Sequence, residues 1–410
     1  MGPQKRPEPR YDQATSAKEL LDKIGQQVHD KVHGDALQHS KGKLKGTLSE
    51  ATFEEKPEGK QTPKDPCELK YGYHTTVTSG YDNENPCKYR PEVRFSYTEG
   101  AQCHSKKIRG SNGKNEGACA PFRRLHICDQ NLEQIKTENI TTHNLLVDVC
   151  QAAKFEAESL EKYRAKYQLT NLGFHTNICT ELARSFADIG DIIRGKDLYL
   201  GNQEEKVKLE NNLKRIFKEI YDNLNDEDVQ KHYEDDDKGT ENYYKLRNAW
   251  WEANRQEVWK AITCGAAGSK YFRHTCGTGT PTDDKCRCLI GDVPTYFDYV
   301  PQYLRWFEEW AEDFCRKKKK FLDIVKTNCR GKNGKIYCSG DGFDCTKTVR
   351  GIGKYAIGDE CTKCSFWCRL YEKWIDNQKK EFLKQKKKCE NEISGNEIYI
   401  LEKKLVIILI

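Results

Sequence analysis

Methionine occurs once in 410 residues, and hydrophobic residues make up 36% of the chain against 32% charged. So little aliphatic material implies long, charged, solvent-facing helix surfaces over narrow apolar seams. No repeat of fixed period runs through the sequence, which excludes a solenoid, and no alternation of strand type is sustained. The fold class read from these absences is all-α. No apolar run approaches the ~20 residues that span a bilayer; the terminal stretch Leu405–Ile410 has six. The opening MGPQKRPEPRYDQ has charge and proline but no apolar core of a secretory signal. Arg6 stands where a myristoylation signal has Ser or Thr. These features predict a fragment, or a chain exported by an unusual route.

Cysteine is absent before Cys67, yet nineteen follow, down to Cys389. At that density they imply disulfides in an oxidising compartment, each worth ~2–4 kcal/mol. The count is odd, so at least one thiol is free, pairs outside the chain or has lost its partner, and the connectivity stays open. The net charge of +6 is modest because 69 basic residues nearly cancel 63 acidic ones. That near-neutrality argues against a dedicated nucleic-acid binder. Clustering matters more. Arg316 to Lys335 holds nine Lys/Arg against one acid, and Cys103 to Arg124 holds six against one. Asp226–Asp237 is the acidic counterweight.

Organisation follows from composition. Residues 1–66 read as an N-terminal segment: Ala17, Leu20, Leu21, Ile24, Val28 and Val32 recur at helical spacing, Gly34 stops the pattern, and a polar connector follows. Residues 67–128, rich in turn signals and with five cysteines, read as an irregular disulfide-held unit. Residues 129–293 read as a helical bundle. Its apolar stripes are Leu145–Tyr167, Val207–Leu224 and Tyr243–Ile262, and a cysteine-bearing loop closes it. Residues 294–392 read as a helical hairpin. One helix carries Tyr303, Leu304, Phe307, Trp310, Phe314 and Leu322; the other carries Phe366, Trp367, Leu370, Tyr371, Trp374 and Leu383. Residues 393–410 are a tail.

No catalytic constellation emerges, and neither a metal nor another cofactor is expected. His29 and His33 in HDKVH have the spacing of a zinc-protease helix with Asp for Glu, and His39 is a candidate third ligand. The plainer reading is solvated histidines on a polar helix face. Cys361, Cys364 and Cys368 have ligand spacing too, but no second CxxC completes a site, and disulfide use is favoured. The Gly pair at 351–353 follows no strand, so a phosphate loop is not indicated. The seven tryptophans sit at helical spacing and read as core. Asn139-Ile140-Thr141 is a glycosylation sequon in form only. The binding candidates are cationic: Arg316, Lys317, Lys318, Lys319 and Lys320 at a helix end, and Lys106, Lys107, Arg109 and Lys114 in a loop. The first run also suits the helix dipole; the second has no such excuse. Either set fits a sulfated polysaccharide. Arg123 and Arg124, just before an apolar stretch, suit structural ion pairs.

Several long strings carry a resemblance. PCKYRPEVRFSY (86–97), GACAPFRRLHICDQNL (117–132), ARSFADIGDIIRGKDLYLG (183–201), WWEANRQEVWKAITC (250–264) and PTYFDYVPQYLRWFEEWAEDFC (294–315) resemble the blocks of an alpha-class Duffy-binding-like domain. That is the head module of the variant erythrocyte membrane adhesins of Plasmodium falciparum. ELLDKIGQQVHDKVHGDALQ (19–38) is similar to the segment preceding that head. The resemblance implies three subdomains: loop-rich, helical bundle, and disulfide-bridged helical hairpin. It implies display on the infected red cell, with the membrane anchor far downstream, and a monomeric adhesin that is not an enzyme. Its partners would be a heparan-type glycan, a blood-group sugar or a complement receptor on uninfected red cells (rosetting), under antigenic variation. The odd cysteine count and the tail ending LVIILI depart from the family pattern. Receptor contacts vary between members, so no receptor residue carries over.

Overall fold

A computed structural model of the chain describes residues 14–392 except 54–61, 78–84, 88–89, 92, 97, 113–114, 172–175, 202, 235–241, 278 and 347–358. The described residues hold helices and isolated bridges but no strand ladder, so the class is all-α. In chain order the helices are α1 (Ala17–Ser40), α2 (Phe122–Leu125), α3 (Thr142–Thr170), α4 (Ile178–Ile193), α5 (Gln203–Asp222), α6 (Glu227–Tyr233), α7 (Tyr244–Ile262), α8 (Gln302–Arg330) and α9 (Asp359–Glu392). The tail and the 351–353 glycines lie outside the described residues.

Side-chain caps start several helices. Ser16 accepts the Glu19 N–H at 3.2 Å, and the Glu19 carboxylate reaches back to the Thr15 N–H at 2.9 Å, a variant of the capping box. Thr141, the last residue of the sequon, caps α3 through the Asn144 N–H. Asn177 caps α4 through the Cys179 N–H.

The first helix does not stop at Gly34. It runs to Ser40 and ends where Lys41 and Gly42 turn left-handed, at φ 46° and 76°. An interior glycine costs a helix ~1 kcal/mol, which docking outweighs here. Leu20 and Leu21 are fully buried against the main body. Gly25 sits so close to the 296 backbone that an added Cβ would lie 2.1 Å from the Tyr296 carbonyl oxygen. Asp22, also buried, accepts from the Tyr296 N–H at 2.7 Å and pairs with Arg273 at 2.5 Å. Leu44 and Leu48 then continue the same core over α3. Val28 and Val32, expected on the buried stripe, are more than a third exposed instead. They border an open cleft of about 540 Å³ shared with α7 and residues 298–303.

At the centre lies α4, all of whose residues are buried. Its two aspartates are met by arginines, most of them from other elements. Asp188 takes Arg123 at 2.6 Å and Arg305 at 2.9 Å, with Gln302 and Trp306 also donating. Asp191 takes Arg194 at 2.9 Å and Arg305 at 2.5 Å. Around this axis α3 and α7 pack on each other, with Trp250, Trp251 and Trp259 buried.

Beyond the bundle, α8 and α9 form an antiparallel hairpin stitched by rings. Trp310 meets Phe382, Phe314 stacks on Trp374 at 5.4 Å, and Phe321 meets Trp367. The partner number falls as the α8 number rises, which fixes the direction. Phe366, Leu370 and Leu383, assigned from sequence to this face, are exposed. Half-buried Phe382 takes a place in the seam instead.

Seven disulfides use fourteen of the nineteen cysteines. Cys87–Cys128 and Cys103–Cys119 close the loop-rich stretch, and Cys67–Cys264 ties its start to the end of α7. Cys179–Cys286 and Cys276–Cys288 anchor the loop after α7, and Cys329–Cys364 and Cys338–Cys361 pin the hairpin tip. Cys150 and Cys389 are buried thiols, and Cys315 is an exposed one.

A buried acid on α3 makes stability depend on pH. Asp148 is inaccessible, and burial pushes its pKa up to about 6 although the Thr75 and Thr76 hydroxyls donate to it at 2.7 and 2.6 Å. A folded value above the ordinary 3.8 favours the protonated acid in the fold. That stability is complete below the unfolded pKa and is lost as pH rises through the folded one. Denaturant melts of wild type and Asp148→Asn should therefore diverge by up to ~3 kcal/mol between pH 4 and 7, with wild type losing ground. A difference that stays flat with pH would mean that Asp148 ionises normally.

Candidate functional site

The basic run on α8 splits when folded. Arg316 turns inward to the Tyr167 hydroxyl and Asp313. Lys317 is 9% exposed and donates to the Glu99 carbonyl at 2.6 Å and to Asp313 at 2.8 Å. These two cations brace α8 against the 96–99 loop, with Lys317 buried and Arg316 only partly exposed, contrary to the reading from charge clustering. A helical run of five cannot point one way; at 100° per residue some must face the body. Lys318 and Lys319 are exposed, the former over the Phe314 ring at 5.7 Å. Lys320 reaches Asn171 at 3.4 Å, and burial with the Arg316 charge lowers its pKa.

Arg316, Lys319 and Lys320 line an open cleft of about 640 Å³ between α8, the end of α3 and the 94–101 loop. Its cations Arg94, Arg123, Arg184, Arg316, Lys319 and Lys320 face the acids Glu99, Glu181, Glu309, Glu312, Asp313 and Asp323. With six of each, the cleft has no net attraction for a polyanion. Arg123 and Arg124, the former on this wall, are buried partners of Asp188 and Asp197.

The loop set is better presented. His104 caps a 3₁₀ turn over Ser105–Lys107, and buried Ile108 anchors it. The Arg109 N–H donates to the Leu198 carbonyl and the Leu200 N–H to the Lys107 carbonyl, both at 2.8 Å. The backbone is thus fixed while Lys106, Lys107 and Arg109 stay exposed. Lys114 lies outside the described residues. This loop rests on the last turns of α9. The Gly117 N–H donates to the Lys384 carbonyl, Lys388 Nζ to the Gly110 carbonyl at 3.4 Å, and Asn391 to Glu116 at 2.7 Å.

That contact adds a group the charge reading passed over. Residues 379–388 hold six lysines against Glu381, and Lys379, Lys380 and Lys387 are exposed. The run KKEFLKQKKK was visible, but only the fold lays its last turns against residues 110–117, next along the chain from the 106–109 cations. Lys388 covers the Tyr303 ring near the start of α8. At 1.5 Å per residue, Lys318 lies ~22 Å further along that helix, so the two basic sets are separate patches.

Family models match the chain in order: N-terminal segments of PfEMP1 over 16–52, Duffy binding domain over 117–305, and the C-terminal subdomain of the Duffy-binding-like domain over 309–404. With the helical core and its staples, these define a Duffy-binding-like module headed by an N-terminal segment. The structure is similar to the crystal structure of an NTS-DBL1(alpha-1) domain of PfEMP1 from the P. falciparum varO strain, with TM-score 0.74 and 38% identity over 95% of this chain and 84% of that one. The chain belongs to the PfEMP1 family. An NTS-DBL1-alpha and CIDR-gamma double domain of the same strain gives TM-score 0.76 at 39% identity over 95% of this chain and 58% of that one. A DBLbeta domain of PfEMP1 IT4var13 bound to ICAM-1 gives 0.70 at 26%, over 93% and 82%. Among curated proteins, the Duffy receptor beta form of Plasmodium knowlesi is 24% identical over 68% of this chain. The chain spans a fifth of the length of that relative. No helix among the described residues is long and apolar enough to cross a membrane.

Proposed function

We propose that the chain is the receptor-binding head of an adhesin on the surface of the infected erythrocyte. In this reading it engages sulfated glycan, and thereby uninfected red cells, through the basic face that joins Lys106, Lys107 and Arg109 to Lys379, Lys380 and Lys387. The observation that carries the reading is that face: six exposed cations on a backbone held by disulfide Cys103–Cys119 and by α9. Spaced cations on a rigid support suit spaced sulfates, and their binding is steeply salt-dependent through counterion release.

Retention of the oxidised protein on immobilised heparin across a salt gradient tests this. Wild type should elute well above physiological salt. Charge reversal of the six named residues to Glu should move elution below it, while Lys318→Glu with Lys319→Glu should shift it little. Wild type passing through near physiological salt would reduce the lysines to solvated surface.

A second reading is a protein receptor. Phe366 and Leu370 lie one turn apart on α9 and are 58% and 37% exposed, and the DBLbeta relative is solved bound to ICAM-1. Loss of red-cell binding in Phe366→Ser with Leu370→Ser, with heparin retention unchanged, would favour it.

A further inference from the structure

The HDKVH pair, set aside as solvated histidines, faces a carboxylate of the main body. His29 is 15% exposed at its side chain, and its Nε2 lies 3.5 Å from Glu252 Oε1. One turn on, His33 Nδ1 contacts the same oxygen. The two rings lie 4.6 Å apart. Glu252, on α7, is 4% exposed at its side chain. The candidate ligand atoms of all three residues fall within 4.8 Å of one another. His39, the expected third member, is elsewhere, stacked on His232 at 3.8 Å.

We propose that His29, His33 and Glu252 form a binding site for a divalent transition metal such as Zn²⁺, which clamps the N-terminal helix to the Duffy-binding-like core. Two histidines four apart on one helix face, plus one carboxylate, are a sufficient three-residue set for Zn²⁺, with water as fourth ligand. Imidazole nitrogen with a single carboxylate selects Zn²⁺, Ni²⁺ or Co²⁺ over Mg²⁺ or Ca²⁺.

The surrounding contacts are those of a supported metal site. Asp30 lies 3.2 Å from His29 Nδ1, so it accepts that N–H and leaves Nε2 with its lone pair toward Glu252. The Tyr299 hydroxyl bonds the other Glu252 oxygen. The nearby cation Arg255 is held by both oxygens of Asp298, at 2.8 Å each, and so is neutralised locally. Since α1 and α7 supply the ligands separately, bound metal would add a cross-link at a contact that no disulfide spans among the described residues.

The test uses the whole oxidised chain, stripped with chelator and titrated with Co²⁺ at neutral pH. Visible absorption reports nitrogen and oxygen coordination, and Zn²⁺ displacement gives stoichiometry. One Co²⁺ per chain is expected, displaced by Zn²⁺, with a rise in thermal midpoint on Zn²⁺ addition. His33→Ala, at a half-exposed position that does not threaten the fold, should weaken binding by more than ~100-fold and abolish the thermal shift. Asp30→Asn should weaken it by ~10-fold, as an orienting partner. His39→Ala should change nothing. Absence of a Co²⁺ spectrum in wild type, or binding that survives His33→Ala and is lost in His39→Ala, would overturn the proposal.

Discussion

Replacing Asp188 by Asn is expected to cost ~3–5 kcal/mol of folding stability, although the two side chains have the same shape. Asp188 is fully buried, and its two oxygens serve Arg123, Arg305, Gln302 and Trp306. Burial would raise its pKa, but the Arg123, Arg305 and Arg124 charges pull it far below the usual carboxylate range. Losing the charge leaves two buried guanidiniums with one carboxylate partner each, Glu309 for Arg123 and Asp191 for Arg305. The amide also presents a donor where an acceptor is needed. Because the folded pKa is depressed, the stability is complete above the ordinary value of 3.8 and is lost only as pH falls below it. Urea unfolding of Asp188→Asn and Glu309→Gln at pH 7 checks this. The second change, at a partner 11% exposed at its side chain, should cost markedly less. Equal small costs for both would show that the network is relaxed by water.

Removing the Cys67–Cys264 bridge by changing both residues to Ala should cost ~5 kcal/mol, against ~3 kcal/mol for Cys276–Cys288. The reason lies in the unfolded chain. The first bridge closes a separation of 197 residues and the second one of 12, and the entropy removed from the denatured ensemble grows with the logarithm of loop length. The first also holds the beginning of the loop-rich stretch on α7, where the Lys154 ammonium bonds the Cys67 and Leu69 carbonyls at 3.0 and 2.9 Å. Unfolding midpoints of the two double variants under non-reducing conditions give the comparison. If the short-loop variant is as damaged as the long-loop one, native-state packing sets the value of these bridges rather than chain entropy.

Much of the fold was legible because its helices are long and one-sided. The stripes of α3, α5, α7 and α8 were read from apolar spacing, and their buried members Leu145, Leu213, Trp250 and Phe307 lie in one core. The α4 helix carries an apolar stripe of its own, Ile178, Leu182, Phe186, Ile189 and Ile193, which the reading by stripes passed over. Its opposite face, with Asp188 and Asp191, is buried as well, and nothing in the local spacing says that Arg123 and Arg305 meet those acids. Only the block ARSFADIGDIIRGKDLYLG marked the helix. The outward tilt of Phe366 and Leu370 was likewise hidden. A helix with apolar residues on two faces does not say which one meets its partner.

The candidate site divides the same way. Lysine runs are plain in any sequence, and Lys106, Lys107, Arg109, Lys318 and Lys319 are exposed as lysines and arginines usually are. That Arg316 and Lys317 are structural braces depends on Glu99, Asp313 and Tyr167 approaching from elsewhere in the chain. The same holds for the meeting of α9 with residues 110–117, and for Glu252 closing on His29 and His33 across more than 200 residues of chain.

By itself the sequence determined the helical class, the disulfide habit and the family, since spacing, residue type and local strings are properties of neighbours along the chain. Tertiary structure alone decided which cysteines pair, which charges are buried and paid for by arginine, and which basic groups share a face. Those outcomes depend on distances between residues far apart in sequence, and on the low dielectric that makes an unpaired buried charge so costly.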